Sequence, residues 1–203
     1  ASMLVGRLLD PKPGETVADL CAAPGTKTTH LAQLMQNSGR LIAVDPHAAR
    51  LKLVARAAAR LGIRIVETRA GSAELLAAKS KERFDRALVD APCSNLGVLR
   101  RNPDAKWRRS EADLLRLQGR QQAILEAGAS MVRPGGVLVY ATCSLEPEEN
   151  EGVVEPFLAR YPEWVLDPPG AFPIPLDPPG VLRCLPHRHG TDGFTAFRLR
   201  RQK

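Results

Sequence analysis

Arg86-Ala-Leu-Val-Asp90-Ala-Pro-Cys-Ser94 and Gly136-Val-Leu-Val-Tyr140-Ala-Thr-Cys-Ser144 are two versions of one pattern. In each, a short apolar, β-branched run gives way to small residues and a cysteine. Such runs read as buried strands of a parallel sheet, because burial on both faces removes the polar alternation of a half-exposed strand. A long helical stretch separates them, so a right-handed crossover sets the strands parallel and side by side. Cys93 and Cys143 then leave the carboxyl edge of the sheet, where open α/β folds bind ligands. Two thiols facing one crevice need an explanation.

Upstream, Ala1 to Leu9 reads as a helix with Leu4, Val5, Leu8 and Leu9 on one side. It begins without Met and is expected to be a piece of a longer protein. After a turn at Pro11-Lys-Pro-Gly14, Thr16-Val-Ala-Asp-Leu20 is the first strand. The tight loop Cys21-Ala22-Ala23-Pro24-Gly25-Thr26-Lys27 follows, and then a helix carrying Leu31, Leu34 and Met35 that stops at Asn37-Ser-Gly39. A small-residue loop between strand and helix lets a ligand approach the backbone and the helix N–H groups. It is neither GxGxxG nor GxxxxGK[ST], so a dinucleotide and a P-loop phosphate are both disfavoured; the competing reading is an ordinary βα turn.

The second strand, Arg40-Leu-Ile-Ala-Val44, ends in Asp45, an acid placed to accept from both ribose hydroxyls. The alternative for Asp45 is a helix N-cap ahead of Pro46. A helix with Leu51, Val54, Ala58 and Leu61 closes on Gly62, and Ile63-Arg-Ile-Val66 reads as the third strand. Gly71-Ser72, in the next loop, is placed to touch an adenine ring.

Between the two cysteine segments, Leu96 to Arg109 holds five cations, Arg100, Arg101, Lys106, Arg108 and Arg109, with Trp107. Beside the cysteine crevice this suits a phosphate backbone and one stacked base; a solvated charged loop is the plainer reading. Ser110 caps a long helix with Leu114, Leu117, Ile124, Leu125, Met131 and Val132, which stops at Pro134-Gly-Gly136. Glu146, Glu148, Glu149 and Glu151 crowd a first helical turn, where the dipole favours acids, and read as structural. Val153, Val154, Phe157 and Leu158 form that helix's inner face, Trp164-Val-Leu166 a short strand, and the proline-rich stretch 168–186 a loop. Gly190-Thr-Asp-Gly193 turns into Phe194–Leu199, a closing antiparallel strand. His187 and His189 read as surface residues.

The 203 residues suffice for one domain with a substantial core. Lys plus Arg exceed Asp plus Glu by 29 to 22, giving +7 and favouring a polyanionic partner. Aromatics make up only 4%, which disfavours a broad base-stacking platform. No signal peptide, lipidation motif or membrane-length apolar run is present, so the expected compartment is the cytoplasm, with no membrane partner. Four cysteines, Cys21, Cys93, Cys143 and Cys184, stand far apart without a CxxC pair, which disfavours a zinc cage; no metal is expected. In a reducing compartment disulfides are disfavoured too. Burial as a small hydrophobe suits Cys184 and Cys21 better than the two strand-end cysteines.

Strand, loop, helix, strand and acid, followed by acid-tipped and cysteine-tipped strands, is the layout of a methyltransferase using S-adenosylmethionine. Asp19-Leu-Cys-Ala-Ala-Pro-Gly-Thr-Lys-Thr28, Asp90-Ala-Pro-Cys-Ser94, Arg100-Arg-Asn-Pro-Asp-Ala-Lys-Trp107, Thr142-Cys-Ser144 with Pro147-Glu-Glu-Asn150, and Gly190-Thr-Asp-Gly-Phe194 together resemble the RNA cytosine-5 methyltransferases of the Sun/RsmB type. The resemblance implies a doubly wound, Rossmann-like α/β fold with a seven-stranded sheet, mostly parallel with an antiparallel last strand. It implies that residues 1–203 form the catalytic domain, that the family's amino-terminal RNA-binding domain is absent, and that RNA, most of all ribosomal RNA, is the partner. Oligomeric state is not indicated.

By the family's pattern Cys143 attacks carbon 6 of cytosine and Cys93 assists release. Carbon 5 alone is too weak a nucleophile, and thiolate addition makes the ring an enamine. A free thiol titrates near pH ~8.5, so a helix start, Lys27 or Lys106 is expected to lower it. The resemblance assigns Cys21, Ala22, Ala23, Pro24, Gly25, Thr26, Lys27, Asp45, Ser72 and Asp90 to the cofactor. It assigns Asp90, Lys106, Arg100 and Arg101 to the substrate, with Asp90 holding the ring nitrogen. Thr26 stands where the family has Gly, Ser72 where it has Asp, and Thr195 where a second aromatic is common. Two alternatives stay open: an RNA-binding scaffold with a cofactor pocket but no turnover, and a methyltransferase for DNA or a small molecule.

Overall fold

The computed structural model describes residues 1–79, 81 and 83–203. Among the described residues eight strands form one sheet: β1 (Thr16–Asp19), β2 (Arg40–Asp45), β3 (Val66–Ala70), β4 (Phe84–Asp90), β5 (Val132–Thr142), β6 (Trp164–Leu166), β7 (Val181–Cys184) and β8 (Phe194–Arg201). The helices are α1 (Ser2–Leu9), α2 (Thr26–Leu34), α3 (Ala48–Arg60), α4 (Ala73–Lys79), α5 (Ala105–Arg108), α6 (Glu111–Met131), α7 (Glu151–Arg160) and α8 (Pro186–His189). The strand order is β3-β2-β1-β4-β5-β8-β6, with β7 also paired to β8. β3 to β5 are mutually parallel, while β8 runs antiparallel to β5, β6 and β7. The order reverses between β1 and β4, and at such a crevice a parallel sheet opens to a ligand.

Alternation along the central strands explains two cores. Leu88, Val137, Val139 and Ala141 point to the side packed with Val5 and Leu8 of α1, Leu31 of α2 and Met35 at the end of α2. Ala87, Val89, Leu138 and Tyr140 point to the other, against Ile124, Leu125 and Phe157 of α6 and α7. With helices on both faces the strands stay apolar throughout, as the Ala-Leu-Val and Val-Leu-Val runs require. α6 starts on a capping box in which Ser110 and Asp113 exchange bonds.

Four sequence expectations shift. Eight strands stand where seven were expected, because the proline-rich stretch contains β7, which pairs Val181–Cys184 with Phe194–Phe197. β3 lies at 66–70 rather than 63–66; as the edge strand it carries exposed Glu67 and Thr68 and lacks an apolar run. β5 begins at Val132, because Val132 pairs with Phe84 and the Pro134-Gly-Gly136 segment is a bulge within the strand, not a turn ahead of it. The acids after Ser144 split between a 3-10 turn at Pro147–Glu149 and the start of α7.

Candidate active site

The carboxyl ends of β1, β2, β4 and β5 enclose a cavity of about 390 Å³, the size of a small-molecule site. Its first wall is the loop after β1. Gly25 sits at the N-cap of α2 with φ 112°, where a Cβ would come within 3.0 Å of the Val54 Cα; only glycine lets the loop lie this close to α3. Ala22 packs with Ala43, Leu51 and Val54. Thr28 donates its hydroxyl to Asp19 at 2.7 Å, yet burial pushes the Asp19 carboxyl up to about 7.

At the tip of β2, the buried Asp45 accepts the His47 amide at 2.9 Å and the Ala23 amide at 3.3 Å. The N-cap of α3 is His47, not Asp45. Asp45 instead ties the first loop to the second strand while lining the cavity. Ser72 lines the same end and accepts the Leu75 amide at 3.3 Å.

The opposite end holds the cysteines. The Cys93 and Cys143 sulfurs are 2.7 Å apart, and both are free thiols. The Cys143 amide donates to Cys93 Sγ at 3.3 Å, and the Cys143 thiol donates to Asn95 Oδ1 at 2.9 Å. The hydrogen bond to Cys143, followed by burial, holds the Cys93 thiol well above its ordinary range. Between the two ends, Lys27 Nζ meets Asp90 at 2.7 Å and lies 5.0 Å from the Phe194 ring centroid. Burial raises the Asp90 carboxyl and Lys27 draws it back. Burial, then the charge of Asp90, pushes the Cys21 thiol up.

A buried polar network sets the two cysteine loops together. Glu149 accepts the Ser94 amide at 2.8 Å, the Ser94 hydroxyl, and the Gln121 amide at 2.9 Å; Gln121 also donates to Pro92 O at 2.9 Å. Thr142 donates to Asn150 Oδ1 at 2.7 Å, and Asn150 Nδ2 donates to the carbonyls of Ser144 and Glu146. The glycine turn before β8 presses on the same point. Gly193 donates to Gly97 O at 2.7 Å, Gly97 donates to Cys143 O at 2.9 Å, and a Cβ on Gly97 would lie 2.5 Å from Gly193 O.

The structure therefore brings together Cys21, Ala23, Lys27, Asp45, Ser72, Asp90, Cys93 and Cys143 around one cavity. Ala22, Pro24, Gly25 and Thr26 shape the loop without lining it. Arg100 and Arg101 lie outside, paired with Asp192 at 3.2 and 2.6 Å. Lys106 is exposed, 5.1 Å from the Trp107 ring, and lines neither the thiol cavity nor the arginine-lined cavity beside it. Lys27 is engaged by Asp90 and Lys106 lies beside the Trp107 ring, while the hydrogen bond to Cys143 and burial push the Cys93 thiol up.

The family model described as 16S rRNA methyltransferase RsmB/F matches residues 6–200. The chain belongs to the RsmB/F family. It is 42% identical to the probable ribosomal RNA small subunit methyltransferase B of Bacillus subtilis (strain 168), over 100% of this chain and 46% of that protein. It is also 42% identical to the protein of that name from Synechocystis sp. (strain ATCC 27184 / PCC 6803 / Kazusa), over 97% and 45%. The crystal structure of NSun6 from Pyrococcus horikoshii with SFG, an analogue of S-adenosylmethionine, superposes with a TM-score of 0.90 at 37% identity, covering 100% of this chain and 52% of that one. The chain spans less than half the length of these curated relatives.

Within this RsmB/F chain, the contributors that sequence reading did not assign to the site include Asn95, Arg120 and Phe194, which line the cavity, and Glu149, which organises it. Gln121 offered a signal, as a polar residue four positions after Leu117 on the buried stripe of α6, where it needs a buried partner. Thr195, in place of the second aromatic, donates its hydroxyl to Ser144 O at 3.1 Å. Cys184 is fully buried in the core on the α1 and α2 side, as expected. His187 is exposed, whereas His189 accepts the Leu185 amide at 2.9 Å. Among the described residues no helix is long and apolar enough to cross a membrane, and no three His, Cys, Asp or Glu side chains group to hold a metal.

Proposed function

We propose that residues 1–203 are the catalytic unit of an RNA (cytosine-5) methyltransferase acting on ribosomal RNA with S-adenosylmethionine. The observation that carries this reading is the pair of free thiols in contact at one end of a cavity whose other end presents a buried acid. The residues fit the cofactor. Asp45 offers a carboxylate to vicinal hydroxyls, Ser72 borders the same end, and the Cys21–Lys27 loop keeps its small residues close to the cavity. When bound, S-adenosylmethionine supplies an electrophilic methyl group.

The chain's own residues do the rest. The Cys143 thiolate adds to carbon 6 of the cytosine, forming the S–C6 bond and moving the ring electrons so that carbon 5 becomes nucleophilic. Asp90, positioned by Lys27, holds the ring nitrogen and favours its protonation as those electrons arrive. Once carbon 5 carries its methyl group, its hydrogen leaves as a proton with Cys93 as the base or the route to one. The S–C6 bond then breaks and Cys143 departs as thiolate. The net change is a methyl group for a hydrogen at carbon 5, with one proton released. The target base is unstacked to enter, which costs a few kcal/mol and least in single-stranded RNA.

The experiment is transfer of labelled methyl groups to small-subunit ribosomal RNA, with digestion to nucleosides and mass spectrometry. The expected product is 5-methylcytidine. Binding of RNA with no label transferred would identify a scaffold, and label in DNA or a small molecule alone would move the substrate class.

A further inference from the structure

The residue after the first cysteine loop's serine is in an uncommon backbone state. Asn95 has φ 65° and ψ 20°, the left-handed region that few non-glycine residues occupy and that asparagine tolerates best among them. It occupies the N-cap of the 3-10 turn Leu96–Val98, yet its side chain makes no capping bond. The amide is directed at the sulfurs instead, with Oδ1 2.9 Å from Cys143 Sγ and 3.9 Å from Cys93 Sγ. Lys27 is held by Asp90, and Lys106 lies beside the Trp107 ring.

A thiol needs an acceptor, whereas a thiolate needs a donor. A carboxamide carries both on one plane, with Oδ1 accepting and Nδ2 donating, and a half-turn about its last torsion exchanges them. We propose that Asn95 is a positioning residue for Cys143: its carbonyl holds the thiol in the resting site, and its amide turns over to donate Nδ2–H to the thiolate that attacks the base. The half-turn needs no backbone movement, because the left-handed residue already places the amide beside the sulfur. This rests on the covalent role given to Cys143 above. It adds the donor that the thiol-lowering lysines were expected to supply. The other ionisable groups that line the cavity with Asn95 and Cys143 are Cys93 and Asp90 from β4 and its loop, Lys27 from α2, Cys21 from the first loop, Asp45, His47 and Arg50 from the end of β2 and the start of α3, Glu74 from α4 and Arg120 from α6; Arg101, Asp104, Arg108 and Arg109 share a second cavity with Asn95.

The test is the rate at which iodoacetamide alkylates Cys143 from pH 6 to pH 10, followed by peptide mass spectrometry. Wild type is compared with Asn95→Gly, which keeps the left-handed backbone, and Asn95→Asp, which offers only acceptors and a negative charge. Loss of one hydrogen bond to a charged group is expected to slow alkylation at pH 7 by roughly tenfold in Asn95→Gly, and by more in Asn95→Asp, while rates at pH 10 converge. Equal rates at pH 7, or the same slowing at both ends of the range, would overturn the proposal. Alkylation needs neither RNA nor cofactor, so its outcome is separate from that of the methyl-transfer experiment.

Discussion

Glu149 accepts both the backbone amide and the hydroxyl of Ser94, joining the segment after β5 to the segment after β4 inside the protein. These are the segments that carry Cys143 and Cys93. The carboxylate is fully buried and also takes the Gln121 amide. Its contacts therefore join the two cysteine segments beyond the last strand pairing.

Glu149→Ala should leave the Ser94 amide, and the Gln121 N–H that does not go to Pro92 O, buried without an acceptor. A broken buried network of this kind costs about 3 kcal/mol, read as a lowered urea midpoint, and methyl transfer should fall with it. Glu149→Gln retains an acceptor for one of these donors and should recover part of both. Unchanged stability in the alanine variant would show that the two loops are held by other contacts.

Asp19 gives a pH dependence of stability with a defined sign. Its folded carboxyl titrates at about 7, above the ordinary value of 3.8. Folding therefore holds the proton more tightly than the unfolded chain does. The contribution is fully present below pH ~4 and is lost as pH rises through about 7. Asp19→Asn removes the titration and keeps an acceptor for Thr28. Urea unfolding of both proteins should show wild type losing ground to the variant between pH 4 and pH 8, by on the order of 4 kcal/mol at most. A difference that does not change with pH would contradict the burial argument.

Arg100 and Arg101 are mostly exposed and share Asp192. If they grip phosphates, the Arg100→Ala/Arg101→Ala protein should bind RNA more weakly at every sequence. The slope of log affinity against log salt should become shallower by about 1.4, two phosphate contacts at ~0.7 each. An unchanged slope would confine the two arginines to holding the Asp192 turn.

The parts of the fold that could be read in advance share one physical property. β1, β2, β4 and β5 are covered on both faces, so burial writes continuous apolar runs into the sequence, and their ends locate Asp45, Asp90, Cys93 and Cys143. β3 and β7 write no such signal. Glu67 and Thr68 face water at the sheet edge, and Val181–Cys184 is flanked by prolines whose composition reads as loop. The site divides along similar lines. A cysteine at a strand end is visible because few residues there are reactive. Glu149 was hidden because an acid near a helix start already has an explanation in the helix dipole, and Asn95 because its role depends on a backbone angle.

Cys93→Ala protein incubated with S-adenosylmethionine and small-subunit ribosomal RNA, then run on a denaturing gel, tests the thiol pair most directly. Covalent catalysis by Cys143 predicts a slow-moving protein–RNA band that accumulates because release is blocked, and that vanishes in the Cys93→Ala/Cys143→Ala protein. A band that survives in the double variant would contradict it, as would full methyl transfer by Cys143→Ala.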